Sequence, residues 1–444
     1  MNKLIRKLLL LFCFIFTASW LVAAEMEVHT STAAAPAAML KGPVMQLNNS
    51  TEGSIKEEPK VNMPVKPKYV RGIHMTAWLA GSMKGRERIY KLLEETEINT
   101  VVIDIKEMQG EVYIPGVKTA EKHLVFVNAI PKVEGYLAEL KKRGIYTVAR
   151  MVVFKDNLMP RKNNALAVKD ASGNIWQDRA GITWVDPFSK EVWDYNIEIA
   201  ERAAEIGFDE IQFDYIRFPS DGNVHNCRYS KPYSSAAASK ALVDFLTHAS
   251  KKLHKMGAYV SIDVFGLTTT YTGDMGIGQK IVEMTDPVDF VSPMVYPSHY
   301  NKGEYGIPDP DREPYDTVYL SLRGANKRLS YTKMRPWLQD FSLKSHYGKN
   351  EVRAQIHAAY DNGIGDWILW NPSCKYTIAA LKEKKFSDIL EKSGRPEPKM
   401  RYATQNKFKT NISTYTPAVP VSTPSATVAP DINKNTLTNQ TTNQ

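Results

Sequence analysis

The feature that most limits what this chain can become is a regular alternation. Between Lys68 and Pro396, short runs of β-branched and aromatic residues take turns with longer helical patterns, the arrangement that gives parallel strands joined by crossover helices. The strand-like runs are YVRGIHMTAW (69–78), NTVVIDIKE (99–107), IYTVARMVVF (145–154), DEIQFDYIRF (209–218), AYVSIDVFG (258–266), VDFVSPMVYP (288–297), MRPWLQDF (334–341) and GDWILWNP (365–372). Eight such runs predict an α/β fold, a single closed (β/α)8 TIM barrel over residues 68–396. Stretches 135–144, 191–207, 239–257 and 351–363 carry apolar residues three and four apart and end on Gly, a common helix stop. Segments 108–134, 155–190 and 298–333 are too long for ordinary connections. Because they follow strands, these long βα loops should cover the carboxyl-terminal face of the barrel. The rival architecture, an open doubly wound sheet with a nucleotide site, has little support. GDMGIGQ (273–279) has neither a dinucleotide fingerprint nor a phosphate-loop Lys and reads as a plain loop.

The ends are unlike the middle. Residues 1–24 have a basic start (Lys3, Arg6, Lys7), an apolar stretch and small residues at Ala23 and Ala24, the pattern of a secretory signal peptide. The alternative is an uncleaved anchor, since the apolar run is nearly long enough to span a bilayer. No later segment is that apolar, so no stable membrane insertion is expected once the signal is removed. Residues 25–67 read as a disordered linker. The Thr/Pro/Asn/Gln-rich tail at 397–444 has too few large apolar groups to offset its ordering entropy and is also expected to be disordered. The destination is then secreted or cell-envelope.

The net charge of +9 includes the three cations of the signal, leaving +6, and no block of Lys and Arg is interleaved with aromatics. Nucleic acid is therefore not an expected partner, whereas weak adhesion to an acidic envelope polymer is compatible with this charge. Cys13 lies in the signal. In an oxidising compartment Cys227 and Cys374 could form a disulfide or stay as two thiols, because pairing needs a close geometry that spacing does not fix. The sequence does not determine the oligomeric state.

Period two along each strand sorts side chains into those facing the helices and those facing the barrel interior. On the fourth run Ile211, Phe213 and Tyr215 share one face, and Gln212 and Asp214 share the other. The second run points Asp104 and Lys106 inward with Glu107 at the rim, and the fifth points Ser261 and Asp263 inward. His74, Thr76 and Trp78 come from the first run, Arg150 from the third, Tyr296 from the sixth, Gln339 or Asp340 from the seventh, and Trp370 or Asn371 from the eighth.

An ionised carboxylate shut away from water needs a partner, a solvent-filled cleft or a chemical task. Asp214 and Asp263 end neighbouring strands, where two carboxyl groups could flank one glycosidic bond, one protonating the leaving oxygen and the other meeting the anomeric carbon. Asp214 is the candidate nucleophile and Asp263 the candidate acid and base. The competing view makes these carboxylates interior salt-bridge partners of Arg150, Lys106 or Arg217. Trp78, Tyr215, Tyr296, Trp337 and Trp370 could stack on sugar rings or simply pack. His74, His225 and His299 are dispersed, and no HExxH, paired-Cys or G-x-S-x-G pattern occurs, so no metal is assigned and no cofactor is expected; the alternative, a carboxylate-only Mg or Ca site, needs ligands that the sequence does not place.

With these residues in place, the segments YVRGIHMTAW, IDIKE, DEIQFDYIRFPSDG, SIDVFG, VSPMVYPSHY and ILWNPS resemble a bacterial glycoside hydrolase family once known as a domain of unknown function. The resemblance covers roughly residues 68–390, and FDYIRFPSDG is its most specific piece. It implies a glycosidase-type barrel, an exported or surface location and a polysaccharide substrate. Chitinase-like barrels carry D-x-x-D-x-D-x-E on strand four. Asp209 and Asp214 match that pattern, but Gln212 replaces an Asp and Ile216 the catalytic Glu, so the chitinase acid is absent. In alpha-amylase-like barrels an Asp ends strand four, the acid ends strand five and a further Asp ends strand seven. Asp214, Asp263 and Asp340 occupy comparable places, with Asp where that acid is usually Glu and Gln212 where an Arg precedes the nucleophile. The three aspartates are thus the catalytic candidates, and His74, Trp78, Asp104, Glu107, Arg150, Gln212, Arg217, Tyr296, Trp370 and Asn371 the substrate-binding ones. A non-catalytic carbohydrate-binding barrel and a structural envelope protein are the alternatives.

Overall fold

Eight parallel strands close on themselves in chain order in the computed structural model, which describes residues 61–382. They are β1 (Arg71–Met75), β2 (Thr100–Lys106), β3 (Tyr146–Val152), β4 (Glu210–Asp214), β5 (Tyr259–Phe265), β6 (Phe290–Met294), β7 (Trp337–Gln339) and β8 (Trp367–Trp370). β1 pairs with both β2 and β8, which closes the ring. The architecture is the TIM barrel predicted from the alternation. The signal peptide at 1–24, the linker up to residue 60 and the tail at 397–444 lie outside the described residues.

The alternating faces hold two cores. Ile73, Val101, Ile103, Ile211, Phe213, Val260 and Ile262 face the helical layer, while Val70, Val102, Tyr146, Val148, Trp337 and Ile368 fill the interior. Helices Val133–Lys142, Lys190–Glu205, Ser235–Lys255 and Lys349–Asp361 fall where the three-and-four spacing puts them. Ser189 and Ser234 accept the Val192 and Ala237 N–H groups, so each of the two middle helices starts on a capped turn. Gly207 and Gly257 follow their ends with φ of 109° and 75°, the left-handed region that a side chain would strain. Two further long helices, Met83–Glu95 and Pro314–Asn326, join them, with the short helices Ile281–Thr285 after β5 and Ile378–Leu381 after β8. Helix Pro314–Asn326 lies inside the long 298–333 connection. Its sequence, PYDTVYLSLRGAN, is rich in β-branched, aromatic and Ser residues of modest helix propensity, which hides it from a spacing count.

At the amino-terminal side Lys66 reaches Asp366 at 3.7 Å and lies over the Phe290 ring. Deeper inside, Glu210 of β4 accepts from Arg335 at 2.7 and 2.9 Å, from Tyr146 Oη at 2.9 Å and from Ser261 Oγ at 2.5 Å. This network gives the barrel a closed polar floor. Among the described residues, no helix is long and apolar enough to cross a membrane. Cys227 and Cys374 are both buried free thiols.

Candidate active site

β2 departs from simple alternation at the point that matters most. Asp104 pairs with Arg150 of β3, but the next partner of Arg150's neighbour Met151 is Lys106, so Ile105 is an extra residue in the ladder. Such a bulge re-aims the side chains beyond it. Lys106, expected to face inward, instead sets its ammonium 2.8 Å from Asp156 and 5.7 Å from the Tyr195 ring centre on helix Lys190–Glu205. Glu107 takes the inward place beside Asp104. Both carboxylates then reach the same cation.

That cation is Arg150, with its side chain only 4% exposed. Its Nη1 donates to Asp104 at 2.6 Å and to Glu107 at 2.7 Å, and its Nη2 and Nε donate to Asp214 Oδ2 at 2.5 and 3.1 Å. The sequence alternatives of salt bridging and cleft lining thus coexist. Asp214 Oδ1 accepts from the Tyr215 N–H at 2.5 Å, so three N–H donors converge on this carboxylate. On the far side His74 Nε2 lies 2.6 Å from Asp104, its ring stacks on Trp370 with centres 3.9 Å apart, and its Nδ1 lies 3.9 Å from Cys374 Sγ. Burial disfavours the His74 cation, but Asp104 and then Cys374 outweigh it and raise its pKa to about 10. Burial likewise opposes ionisation of Asp104, yet His74 and Arg150 hold it down at about 2. At the rim, burial and the charge of Asp104 push Glu107 up to about 7.

Asp263, at the end of neighbouring β5, has a different environment. Trp337 Nε1 donates to its Oδ1 at 2.7 Å. Among the described residues its buried Oδ2 has no hydrogen-bond partner, and it lies 3.7 Å from Arg150 Nε. Burial and then the charge of Asp214 raise Asp263 well above the usual carboxylate range.

Both aspartates line a cleft of about 1260 Å³. Its wall is shaped by a conformational departure at Tyr215, which does not continue the outward face of β4 but adopts φ 49° immediately after the strand. For a bulky residue this is a strained conformation of the kind that collects at functional sites. Tyr215 and Trp184 meet edge to face with centres 6.1 Å apart, and the Arg217 guanidinium lies 4.9 Å from each ring and 4.6 Å from Phe265. Tyr296 lines the same cleft, its phenol pushed up by burial and then by Asp263 and Asp214. The long 155–190 segment folds back on itself through the Lys155↔Trp184 bridge and is joined to the stretch after β4 by Lys169↔Arg228.

Of the residues singled out from sequence, Asp214, Asp263, Asp104, Glu107, Arg150, His74 and Trp370 form one contact network; Tyr296 and Arg217 share its cleft. Four lie apart from it. Asp340 accepts from Thr377 N and Oγ1 at 2.8 and 2.6 Å, and Asn371 bonds the backbone of Asp340 and Lys375, so both hold the loop after β8. Gln212 sits lower in the barrel against Ser292 at 3.2 Å. Trp78 stands 60% exposed on the short helix Ala77–Gly81, beyond the end of β1. Trp337 as the donor to Asp263 was missed as a role, and no local pattern signals it. The Glu210–Arg335 pair was missed as well, although Glu210 shares the parity of Gln212 and Asp214.

Solved structures resemble parts of this chain. A hypothetical protein from Ruminiclostridium thermocellum ATCC 27405 is 34% identical over 43% of this chain and 97% of its own, with a TM-score of 0.39. The PgaB (BpsB) glycoside hydrolase domain from Bordetella bronchiseptica is 14% identical, covering 69% of this chain and 95% of its own with a TM-score of 0.55. Alpha-L-fucosidase isoenzyme 2 from Paenibacillus thiaminolyticus is 11% identical, covering 71% and 49% with a TM-score of 0.51. The last two share the fold. No curated protein matches the chain. The family described as "Putative glycosyl hydrolase domain" matches residues 72–376, the stretch that contains the whole barrel apart from Arg71, and the chain belongs to that family.

Proposed function

We propose that the protein is an exported glycoside hydrolase that cleaves an envelope or extracellular polysaccharide with Asp214 and Asp263. The observation that carries the reading is the contrast between two carboxyl groups at the ends of adjacent strands and in one cleft. Asp214 is surrounded by N–H donors that complement negative charge, whereas Asp263 is buried, pushed upward and left with an uncommitted oxygen. Environments that separate two carboxyls in this way assign the acid and the anion. Asp263 Oδ2 donates its proton to the glycosidic oxygen as the bond to the anomeric carbon breaks, and Asp214 meets the positive charge that develops there. Asp263, now a carboxylate, can take the proton from the incoming water. Export is supported by the sequence of residues 1–24.

The test is release of reducing ends from a broad glycan panel by wild-type protein and by Asp214→Asn. The variant should lose turnover by on the order of 10⁴-fold while keeping its sugar affinity. Wild-type activity in a normally melting Asn variant would remove Asp214 from the mechanism. Glycan binding with no reducing ends released by the wild type would instead favour a carbohydrate-binding barrel.

A further inference from the structure

The cleft holds a buried cation that the reaction just described does not use. Arg217 is 7% exposed, enclosed by the rings of Trp184, Tyr215 and Phe265, and lines the cleft with Asp214. Its Nη1 donates to the Phe218 carbonyl at 3.0 Å and to Ser220 Oγ at 3.0 Å, both neutral acceptors. No carboxylate among the described residues forms an ion pair with it. Asp214 is already engaged by Arg150, and Asp178 by Lys155 at 2.8 Å. A charge taken out of water without a counterion is costly, and burial lowers the pKa of Arg217 accordingly.

The rest of the wall has the same sign. Arg228 and Lys231 are exposed on the cleft and form no ion pair among the described residues; the Arg228 guanidinium donates to the carbonyls of His225 and Cys227. Against them stand Asp263, which burial and Asp214 push towards its neutral form, Asp214, balanced by Arg150, and Asp221, which accepts from the neutral backbone N–H of Arg179 at 2.8 Å and keeps its charge, so the three cations Arg217, Arg228 and Lys231 face one uncompensated carboxylate. The surface left for a ligand is therefore net cationic, with a guanidinium fork among the residues that line the cleft with Asp214. Such a fork suits carboxylate and phosphate-like oxygens.

We infer that the substrate is a polysaccharide bearing anionic sugars, with Arg217 receiving the anionic group of a residue next to the cleaved bond and Arg228 and Lys231 attracting the chain on either side. The inference rests on the reading of the cleft as a glycan-cleaving site. The anion supplies the counterion that Arg217 lacks, and the aromatic box limits its access to water. Charged hydrogen bonds of this kind discriminate strongly against a neutral analogue that leaves the cation unpaired.

Binding of the full chain to a panel of oligosaccharides tests it, using oligouronates, sulfated galactan oligomers, neutral cello- and chito-oligosaccharides, and cationic chitosan oligomers. An acidic member should bind at least about tenfold more tightly than every neutral or cationic one, with affinity falling as salt rises. The uronate and sulfate arms separate a carboxylate from an ester anion. Arg217→Gln should cut affinity for that acidic member by about tenfold or more and narrow its advantage over the neutral members. Equal or tighter binding of neutral or cationic oligomers, no binding of any acidic one, or an unaffected Arg217→Gln would overturn the inference. If Arg217→Gln fails to melt cooperatively, Arg228→Gln/Lys231→Gln, at exposed positions, serves in its place, and unchanged acidic-glycan affinity in that variant overturns the inference equally. Charge selectivity without reducing ends from any member would retire the hydrolase reading alone, and cleavage of neutral oligomers only would retire this one alone.

Discussion

A carboxyl group can act as an acid near neutrality only where its surroundings make ionisation costly, and Asp263 meets that condition through burial, the charge of Asp214 and an oxygen with no partner. Asp263→Asn should lower kcat on natural glycosidic bonds by about 10²- to 10⁴-fold, with the loss much smaller on nitrophenyl glycosides whose leaving group needs no proton. Equal losses on both substrate types would count against its role as the acid. For the wild type, activity should fall as pH rises through the raised pKa of Asp263, because the proton to be donated is then gone. His74 gives a separate pH signature in stability. Its pKa is raised from 6.5 to about 10, so the folded state keeps a proton that the unfolded chain releases. The stabilisation is complete below about pH 6.5 and is lost as pH rises towards 10. His74→Asn should flatten that part of the unfolding free energy against pH, measured by denaturant titration. An unchanged slope would show that the His74–Asp104 pair carries no linked proton.

At the scale of the element, one extra residue in β2 decides the site's composition. Without the bulge at Ile105, strict alternation would send Lys106 inward and Glu107 outward; with it, Glu107 joins Asp104 on Arg150, and Lys106 pairs with Asp156 behind the strand. Period two made Asp104, Arg150, Asp214 and Asp263 legible because each lies on a regular stretch. It failed at Lys106 and at Tyr215, where a bulge and a left-handed residue interrupt the period. The buried pair gives the element its own test. Lys106→Met should cost roughly 3–5 kcal/mol, since it leaves Asp156 as an unpaired buried charge, and adding Asp156→Asn should recover part of that loss. A surface-like change below about 0.5 kcal/mol in the single variant would mean that the pair is hydrated.

Across the whole molecule, the chain limits matter for the amino-terminal side of the barrel. Lys66 bridges to Asp366, and the Glu97 N–H donates to the carbonyl of Leu381, so both ends of the described stretch touch the barrel. A chain cut to residues 61–382 should melt in one cooperative transition, and one starting at residue 68 should be less stable by up to about 1 kcal/mol through loss of the Lys66 pair. Two separate transitions in the longer piece would show that another part of the chain completes the core. The amino-acid sequence by itself determined the eight strands, their parallel order and the inward parity of the aspartates, because hydrophobic periodicity is local and each strand must bury its outer face against helices. Only the tertiary structure decided that Arg150 gathers three carboxylates, that Trp337 from β7 supports Asp263 and that Asp340 turns to Thr377. Those contacts join residues far apart in the chain, so their geometry follows from the closure and stagger of the barrel, which no local spacing encodes.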